Sequence, residues 1–260
     1  MINDKSKRLD AALVELGFFD TKEKARRALL AGELEINGDR NAKPGKKVSI
    51  KTTESGAELF DGKTKLDVCI RQKMPFVSRG GLKLQEALDK FEISSSGMTA
   101  LDIGASTGGF SDCLLQRGAK KIYCVDCGKG QLHSKIRDDE RVVALEKTNA
   151  RYLTRELIPE TPDIVVIDVS FISLELILPV VNELGAEGTI IIALVKPQFE
   201  VGKEKLSKGG VVKDEKARKD AVEKIKSFML GLDWTIIGET ESPITGPAGN
   251  HEYLLCARKG

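Results

Sequence analysis

Four short apolar runs each carry a charged residue at or near their end, and helical patterns separate them. "TALDIG" carries Asp102, "KIYCVD" ends on Asp126, "DIVVID" on Asp168, and "IIIALVK" on Lys196. "RVVALE" adds a further run of the same kind, and "FSDCLLQRG" reads as a helix between the first two. Such alternation builds a parallel sheet with helices on both faces. In open parallel sheets, ligands collect at the carboxyl ends of the strands. The four charged residues therefore stand where chemistry is expected. A helix from Asp214 to Gly231 is followed by "WTIIGETES" and "HEYLLCAR", which predict an antiparallel pair at one edge. Ahead of the alternation, "SRGGLKLQEALDKF" predicts a helix. Leu84, Ala87, Leu88 and Phe91 form its inner stripe, and Lys83 falls off it.

"LDIGASTGGF" follows a strand and opens a helix, the place where a Gly-rich turn lets a ligand approach the backbone. A pyrophosphate site would prefer G-x-G-x-x-G. Here the glycines are Gly104, Gly108 and Gly109, and Asp102 precedes the turn. That acid would repel a pyrophosphate and suit an ammonium group. S-adenosylmethionine offers an amine, a carboxylate and a sulfonium, and no phosphate. The turn thus predicts contacts from Asp102, Gly104, Ser106, Thr107, Gly108, Gly109 and Phe110. Asp126, ending the second strand, is placed to accept hydrogen bonds from ribose hydroxyls, and Asn149 joins the expected set. A nicotinamide dinucleotide is the competing cofactor.

Neighbouring strands lie ~4.8 Å apart. If the strands ending in Asp168 and Lys196 pair, the two side chains meet beside the cofactor. A buried lysine is tolerable when a carboxylate partners it. On these residues alone, a structural ion pair and a catalytic one both remain open.

The amino-terminal region has a different pattern. Residues 1–51 hold 12 Lys/Arg against 8 Asp/Glu, and the remainder holds 29 against 31. A basic end on a near-neutral body suggests a module that meets an anion. "RLDAALVELG" places Leu9, Ala12, Leu13 and Leu16 at helical spacing before Gly17. In "DTKEKARRALLAG", Asp20 and Glu23 predict a capping box and Gly32 a helix end, with Ala25, Ala28 and Leu29 inward. Asn37-Gly38 predicts a tight hairpin, with "KPGKKVSI" as its return strand. This layout resembles the alpha-L RNA-binding module of the S-four type. The resemblance implies that Arg8, Lys22, Arg26 and Arg27 touch RNA phosphates, contacts that position a protein without reading sequence.

The second region resembles the FtsJ-type ribose 2′-O-methyltransferases, which carry a Lys-Asp-Lys-Glu tetrad. The matching positions are Lys83 in "SRGGLKL", Asp168 in "IDVSFIS", Lys196 in "LVKPQFE" and Glu252 in "GNHEYLL". With the basic module in front, the whole chain resembles the TlyA family, whose members are often called haemolysins and methylate cytidine 2′-hydroxyls in rRNA. "ASTGGF", "DERVVALEKTNAR", "LVKPQFEVG" and "SPITGPAGN" fit that pattern, and His133 in "GQLHSKIR" departs from it.

The resemblance implies S-adenosylmethionine as cofactor and ribosomal RNA or ribosomal subunits as partner. It implies a Rossmann-like methyltransferase sheet, mostly parallel with an antiparallel edge pair, beside a small α+β RNA-binding domain. The expected division is an RNA-binding domain over 1–60, a linker over 61–77 and a methyltransferase domain over 78–260. An amine accepts a hydroxyl proton only in its neutral form, which a neighbouring cation and burial favour. Lys196 is therefore expected as general base or hydroxyl-steering group, with Asp168 orienting it and Lys83 and Glu252 completing the charge network. The basic loop "EVGKEKLSKGGVV", with Lys203, Lys205 and Lys208, either closes over RNA or is a surface loop.

Five scattered cysteines point to free thiols in a reducing cytoplasm. Cys124 and Cys127 form a CxxC without a second pair, and are expected as core thiols rather than metal ligands. No apolar run reaches the ~18 residues that span a bilayer. The competing functions are a membrane-active haemolysin and a non-catalytic RNA-binding protein.

Overall fold

The computed structural model describes residues 6–30, 33–39, 42–53, 56–70, 75–246 and 249–260. Gly32, the expected helix end, lies outside the described residues, as do 71–74 of the expected linker and 247–248 within "SPITGPAGN". The chain divides between Pro75 and Phe76 into two compact units.

The first unit contains β1 (Lys7–Arg8), α1 (Leu9–Glu15), α2 (Lys22–Leu30), β2 (Leu34–Ile36), β3 (Lys47–Thr53), β4 (Gly56–Asp61), β5 (Thr64–Leu66) and β6 (Val68–Ile70). Leu9, Ala12 and Leu13 of α1 and Ala25, Ala28 and Leu29 of α2 are buried in one cluster with Leu34, Val48 and Leu59. This is the inward set that the helical spacing predicts, except that Leu16 is only half-buried, just past the end of α1.

The structure departs from three expectations. The start of α2 is capped by Thr21, whose Oγ1 accepts from Lys24 N at 3.3 Å, and not by an Asp20–Glu23 box. Asp20 instead pairs with the Lys24 side chain at 2.6 Å. Asn37 and Gly38 do turn with positive φ, of 51° and 81°, but the turn closes only the bridge Ile36–Asp39. β2 pairs with β6, while β3 joins a sheet of order β1-β3-β4-β5, so "KPGKKVSI" is not the return strand of that turn. Finally, residues 61–70 of the expected linker are largely sheet. β4 and β5 form a hairpin, and β6 is the partner that β2 requires.

The second unit begins with α3 (Gly80–Lys90), β7 (Thr99–Ile103), α4 (Gly109–Gln116), β8 (Lys121–Val125), α5 (Ser134–Arg137), β9 (Val142–Leu145) and β10 (Ile164–Ile167). α6 (Leu178–Leu184), β11 (Ile190–Val195), α7 (Pro197–Glu200), α8 (Glu215–Leu230), β12 (Trp234–Glu241) and β13 (Tyr253–Lys259) complete it. Its seven strands run in the order β12-β13-β11-β10-β7-β8-β9. β11, β10, β7, β8 and β9 are parallel, and β13 lies antiparallel between β11 and β12.

Every residue of β7, β10 and β11 is buried, the pattern of strands covered on both faces. Alternate residues serve opposite cores. Ala100, Val166 and Ile192 pack with Leu84 and Leu88 of α3 and Phe110 and Leu114 of α4. Leu101, Val165 and Ile191 pack with Val181 of α6 and Ile225 and Met229 of α8. Each fully buried Leu or Ile contributes about 1.5–3 kcal/mol relative to exposure, so the period-two split holds the layers in register. α8 begins at Asp214, whose carboxylate accepts from Lys216 N at 2.9 Å. His133 caps α5 in the same way, its Nδ1 accepting from Lys135 N at 3.1 Å. Among the described residues no helix is long and apolar enough to cross a membrane.

Candidate active site

The register places Ile167 beside Ala193 and Ile103 beside Ile167, so β7 and β10 end level and β11 runs two residues further. Asp168 and Lys196 are the residues just past those ends, and Lys196 Nζ lies 2.6 Å from Asp168 Oδ1. Lys196 also donates to Ser170 Oγ at 2.8 Å. Lys83, one turn into α3, reaches Glu252 at the start of β13 with Nζ–Oε2 of 2.6 Å. Both of these side chains are almost fully buried, at 9% and 0% exposure. Removing either partner would leave an uncompensated buried charge, a cost of about 3–5 kcal/mol. The expected tetrad is thus two ion pairs.

Two cavities adjoin this group. The first, of about 360 Å³, is lined by Lys83, Asp168, Ser170 and Lys196 together with Gly104, Ser106, Thr107, Gly109 and Phe110 of the Gly-rich turn. The second, of about 410 Å³, is lined by the apolar Ile103, Val125, Ile172 and Ile177 and by Asp126 and Asn149. Gly104, Ser106, Asp168 and Ser170 belong to both walls. Glu252 stands behind Lys83 and lines neither.

The turn is shaped by its backbone. Gly104 has φ +84°, and a Cβ there would lie 2.5 Å from the carbonyl oxygen of Asp168, so only glycine lets β7 and β10 close this tightly. Four of its amides are engaged within the protein. Gly104 and Ala105 donate to Val125 O, Gly108 donates to Ala105 O, and Ser106 donates to Asp126 Oδ2 at 2.8 Å. Asp126 Oδ1 accepts from Gly128 N at 2.7 Å, and each carboxylate oxygen keeps a lone pair for a ligand hydroxyl. A pyrophosphate needs free amides aimed at it. With these four committed and two carboxylates in the walls, the donor set fits a phosphate-free cationic nucleoside better than a dinucleotide.

Two expected contacts do not reach the cavities. Gly108 starts α4 and lines neither. Asp102 is fully buried on the sheet face under α4, where its Oδ2 accepts from Ser111 Oγ at 2.5 Å and its Oδ1 has no protein partner. Burial pushes its carboxyl up to about 7, against the opposing Ser111 hydrogen bond. The even spacing of a strand hides this: Asp102 belongs to the same face as Ala100 and points away from the turn's opening. Cys124 is buried as expected, but Cys127 is exposed in the wall of the second cavity.

Sequence reasoning missed Ser170, whose only signal is its place two residues after Asp168. It also missed Ser78 and Arg79, which line the first cavity from the segment before α3.

In the first unit, Arg8 and Arg26 line a groove of about 940 Å³ with Lys43 and Lys46. Arg8 grips the buried Asp10 through two hydrogen bonds, of 2.7 and 3.1 Å, which holds the Asp10 carboxyl below the usual carboxylate range. Lys22 and Arg27 are exposed on α2 and lie outside the groove's lining. In the loop after α7, Lys205 and Lys208 are exposed, and the side chain of Lys203 lies outside what is described.

The FtsJ-like methyltransferase family model matches residues 76–259, and the S4 domain model matches residues 7–53. A Bacillus subtilis protein provisionally named rRNA methyltransferase YqxC is 45% identical over 257 residues, spanning 98% of this chain and 86% of its own. The 16S/23S rRNA (cytidine-2'-O)-methyltransferase TlyA of Mycobacterium tuberculosis is 42% identical over 251 residues, spanning 96% of this chain and 89% of its own. Among solved structures, a provisionally named hemolysin from Streptococcus thermophilus is 40% identical with a TM-score of 0.72, over 98% of this chain and 88% of that one.

Proposed function

We propose, for a chain that belongs to the TlyA family of FtsJ-like methyltransferases, transfer of a methyl group from S-adenosylmethionine to the ribose 2′-hydroxyl of cytidine in ribosomal RNA. The observation that carries this reading is the Asp168–Lys196 pair at adjacent strand ends, in the walls beside the Gly-rich turn.

Ile103, Val125, Ile172 and Ile177 would enclose the cofactor's nucleoside, with Asp126 and Asn149 accepting or donating to its polar edge. Gly104, Ser106, Thr107, Gly109 and Phe110 would border its amino-acid end. When bound, the cofactor supplies an electrophilic methyl carbon on a sulfonium. Asp102 and Gly108 support the turn from behind and make no direct contact. A ribose hydroxyl is a poor nucleophile until its proton begins to leave. Lys196 takes that proton or aims the oxygen, and Asp168 holds the Lys196 nitrogen in place. Lys83, fixed by Glu252, presents a second positive charge in the same wall and holds the ribose. Alignment of hydroxyl and methyl carbon supplies much of the rate.

The first unit docks on RNA. Arg8, Lys22, Arg26 and Arg27 contact phosphates, which orients the chain without selecting a sequence. A ribosomal substrate places the protein in the cytoplasm.

Transfer of labelled methyl from S-adenosylmethionine to ribosomal subunits, with mapping of the modified ribose, tests the reading. Lys196→Ala and Asp168→Asn are expected to abolish transfer, with circular dichroism and Tm checking that each variant is folded. Wild-type rates in both variants would overturn it.

A further inference from the structure

Lys196 has two protein partners, and the second has no assigned role. Its Nζ donates to Asp168 Oδ1 at 2.6 Å and to Ser170 Oγ at 2.8 Å. An ammonium carries three N–H bonds in a tetrahedral array. An off-axis bond to Asp168 alone already orients the ammonium, but in a neutral amine it leaves two positions open to the lone pair. A second fixed acceptor removes that freedom, and the direction of the remaining N–H, or of the lone pair in a neutral amine, is then set. Ser170 lines both cavities, so the fixed nitrogen sits at their junction.

Ser170 is exposed and lies in a segment that is tied further along to the one after β11. Its neighbour Phe171 has φ +65°, a left-handed conformation that a bulky side chain rarely adopts. Strain of this kind persists where the surroundings over-determine it, and it clusters at functional sites. The Phe171 side chain is itself 91% exposed, so what fixes the segment is its ties to the segment after β11. The Phe171 ring meets the Phe199 ring at 5.1 Å between centroids. Further along, Ser173 Oγ donates to Glu200 Oε2 at 2.6 Å, and Leu174 N donates to Glu200 Oε1 at 2.8 Å. The Glu200 side chain is only 2% exposed. The segments after β10 and β11 are thus joined at three successive levels: Asp168 and Ser170 on Lys196, Phe171 on Phe199, and Ser173 with Leu174 on Glu200.

We propose that Ser170 is a positioning residue for methyl transfer: it fixes the rotation of the Lys196 nitrogen so that its third direction faces the target hydroxyl. The inference rests on the assignment of Lys196 made above. It predicts a loss in turnover far larger than any change in cofactor affinity, because Ser170 acts through Lys196 although it also lines the second cavity.

Ser170→Ala, Ser170→Thr and Lys196→Ala are to be assayed side by side on unmethylated ribosomal subunits, with cofactor affinity measured by calorimetry. Misaimed groups commonly cost up to about a hundredfold in rate, so Ser170→Ala should lower kcat on the order of 10- to 100-fold. The KM for S-adenosylmethionine should stay within about twofold, the signature of a loss confined to the transition state. Ser170→Thr keeps the acceptor oxygen and should recover most of the rate, which a bulk or folding effect would not do. The inference is overturned if Ser170→Ala turns over like the parent, if its loss is confined to KM, or if Ser170→Thr is as slow as Ser170→Ala. Should Lys196→Ala also keep full rate, the assignment of Lys196 has failed. An inactive Lys196→Ala beside a normal Ser170→Ala would sink the positioning role alone.

Discussion

Replacing Gly104 with alanine puts a methyl group where the Asp168 backbone already stands. The new Cβ would lie 2.5 Å from the Asp168 carbonyl oxygen, 2.9 Å from its carbon and 3.2 Å from Val169 N. All three are main-chain atoms at a strand end, so no side chain can swing aside, and β7 or β10 must shift. The left-handed φ of +84° adds about 1–2 kcal/mol for any residue with a Cβ. Overpacking adds about 1–3 kcal/mol. The total of about 2–5 kcal/mol is a large part of the ~5–15 kcal/mol that holds a typical domain together. For a unit of this size each kcal/mol moves Tm by about 2–4 °C, so a drop of roughly 4–20 °C is expected. Gly97→Ala is the control. Its φ is +72° but nothing stands within 4 Å of its Cβ, so it should show the conformational cost alone. Scanning calorimetry of the three proteins gives the stability difference, and a cofactor titration well below Tm gives the effect on the site. Because the displaced backbone carries Asp168, Gly104→Ala should also lose methyl transfer while Gly97→Ala keeps it. If Gly104→Ala melts and binds like Gly97→Ala, the close approach of β7 to β10 is not what requires glycine.

Asp102 should make stability depend on pH. Its carboxyl is raised from 3.8 to about 7 in the fold. Below about pH 4 both states hold the proton and there is no cost. Between about pH 4 and 7 the unfolded chain ionises first, so stability is lost as pH rises through that window. Three pKa units at ~1.4 kcal/mol each set an upper value of about 4 kcal/mol. Asp102→Asn should therefore melt progressively higher than the parent from pH 5 to 8, and a constant gap would refute the buried acid. In the first unit, Arg26→Ala and Arg27→Ala should weaken RNA binding equally for all sequences. Each should lower the slope of log K against log salt by about 1. Filter binding across a salt series measures this, and an unchanged slope excludes a phosphate contact.

The catalytic sheet was readable because burial on both faces writes itself as continuous apolar runs. The charges that end those runs, Asp126, Asp168 and Lys196, could then be placed by topology. Asp102 lies inside its run, where pleat decides which side a residue faces, and the turn that follows carries no record of that. The Asn37-Gly38 turn shows the converse limit. Its dipeptide fixes a local bend, but β2's partner is decided by Val68–Ile70, some thirty residues away. The polar stretch around β4 and β5 reads as linker because one-sided strands with lysine and glutamate carry little apolar signal. Ser170 and Thr21 are single hydroxyls whose importance comes from a partner that only the folded chain supplies.

The order of the seven strands also sets an order in time. β13 is the last strand in the sequence, yet it lies between β11 and β12, and Glu252 stands just before it. A chain still being synthesised can fold its amino-terminal unit as soon as that unit emerges. Its methyltransferase sheet stays open until β13 slides into the gap, and only then does Lys83 gain its carboxylate. Chains cut before β13 should therefore lack both the strand between β11 and β12 and the Lys83–Glu252 pair.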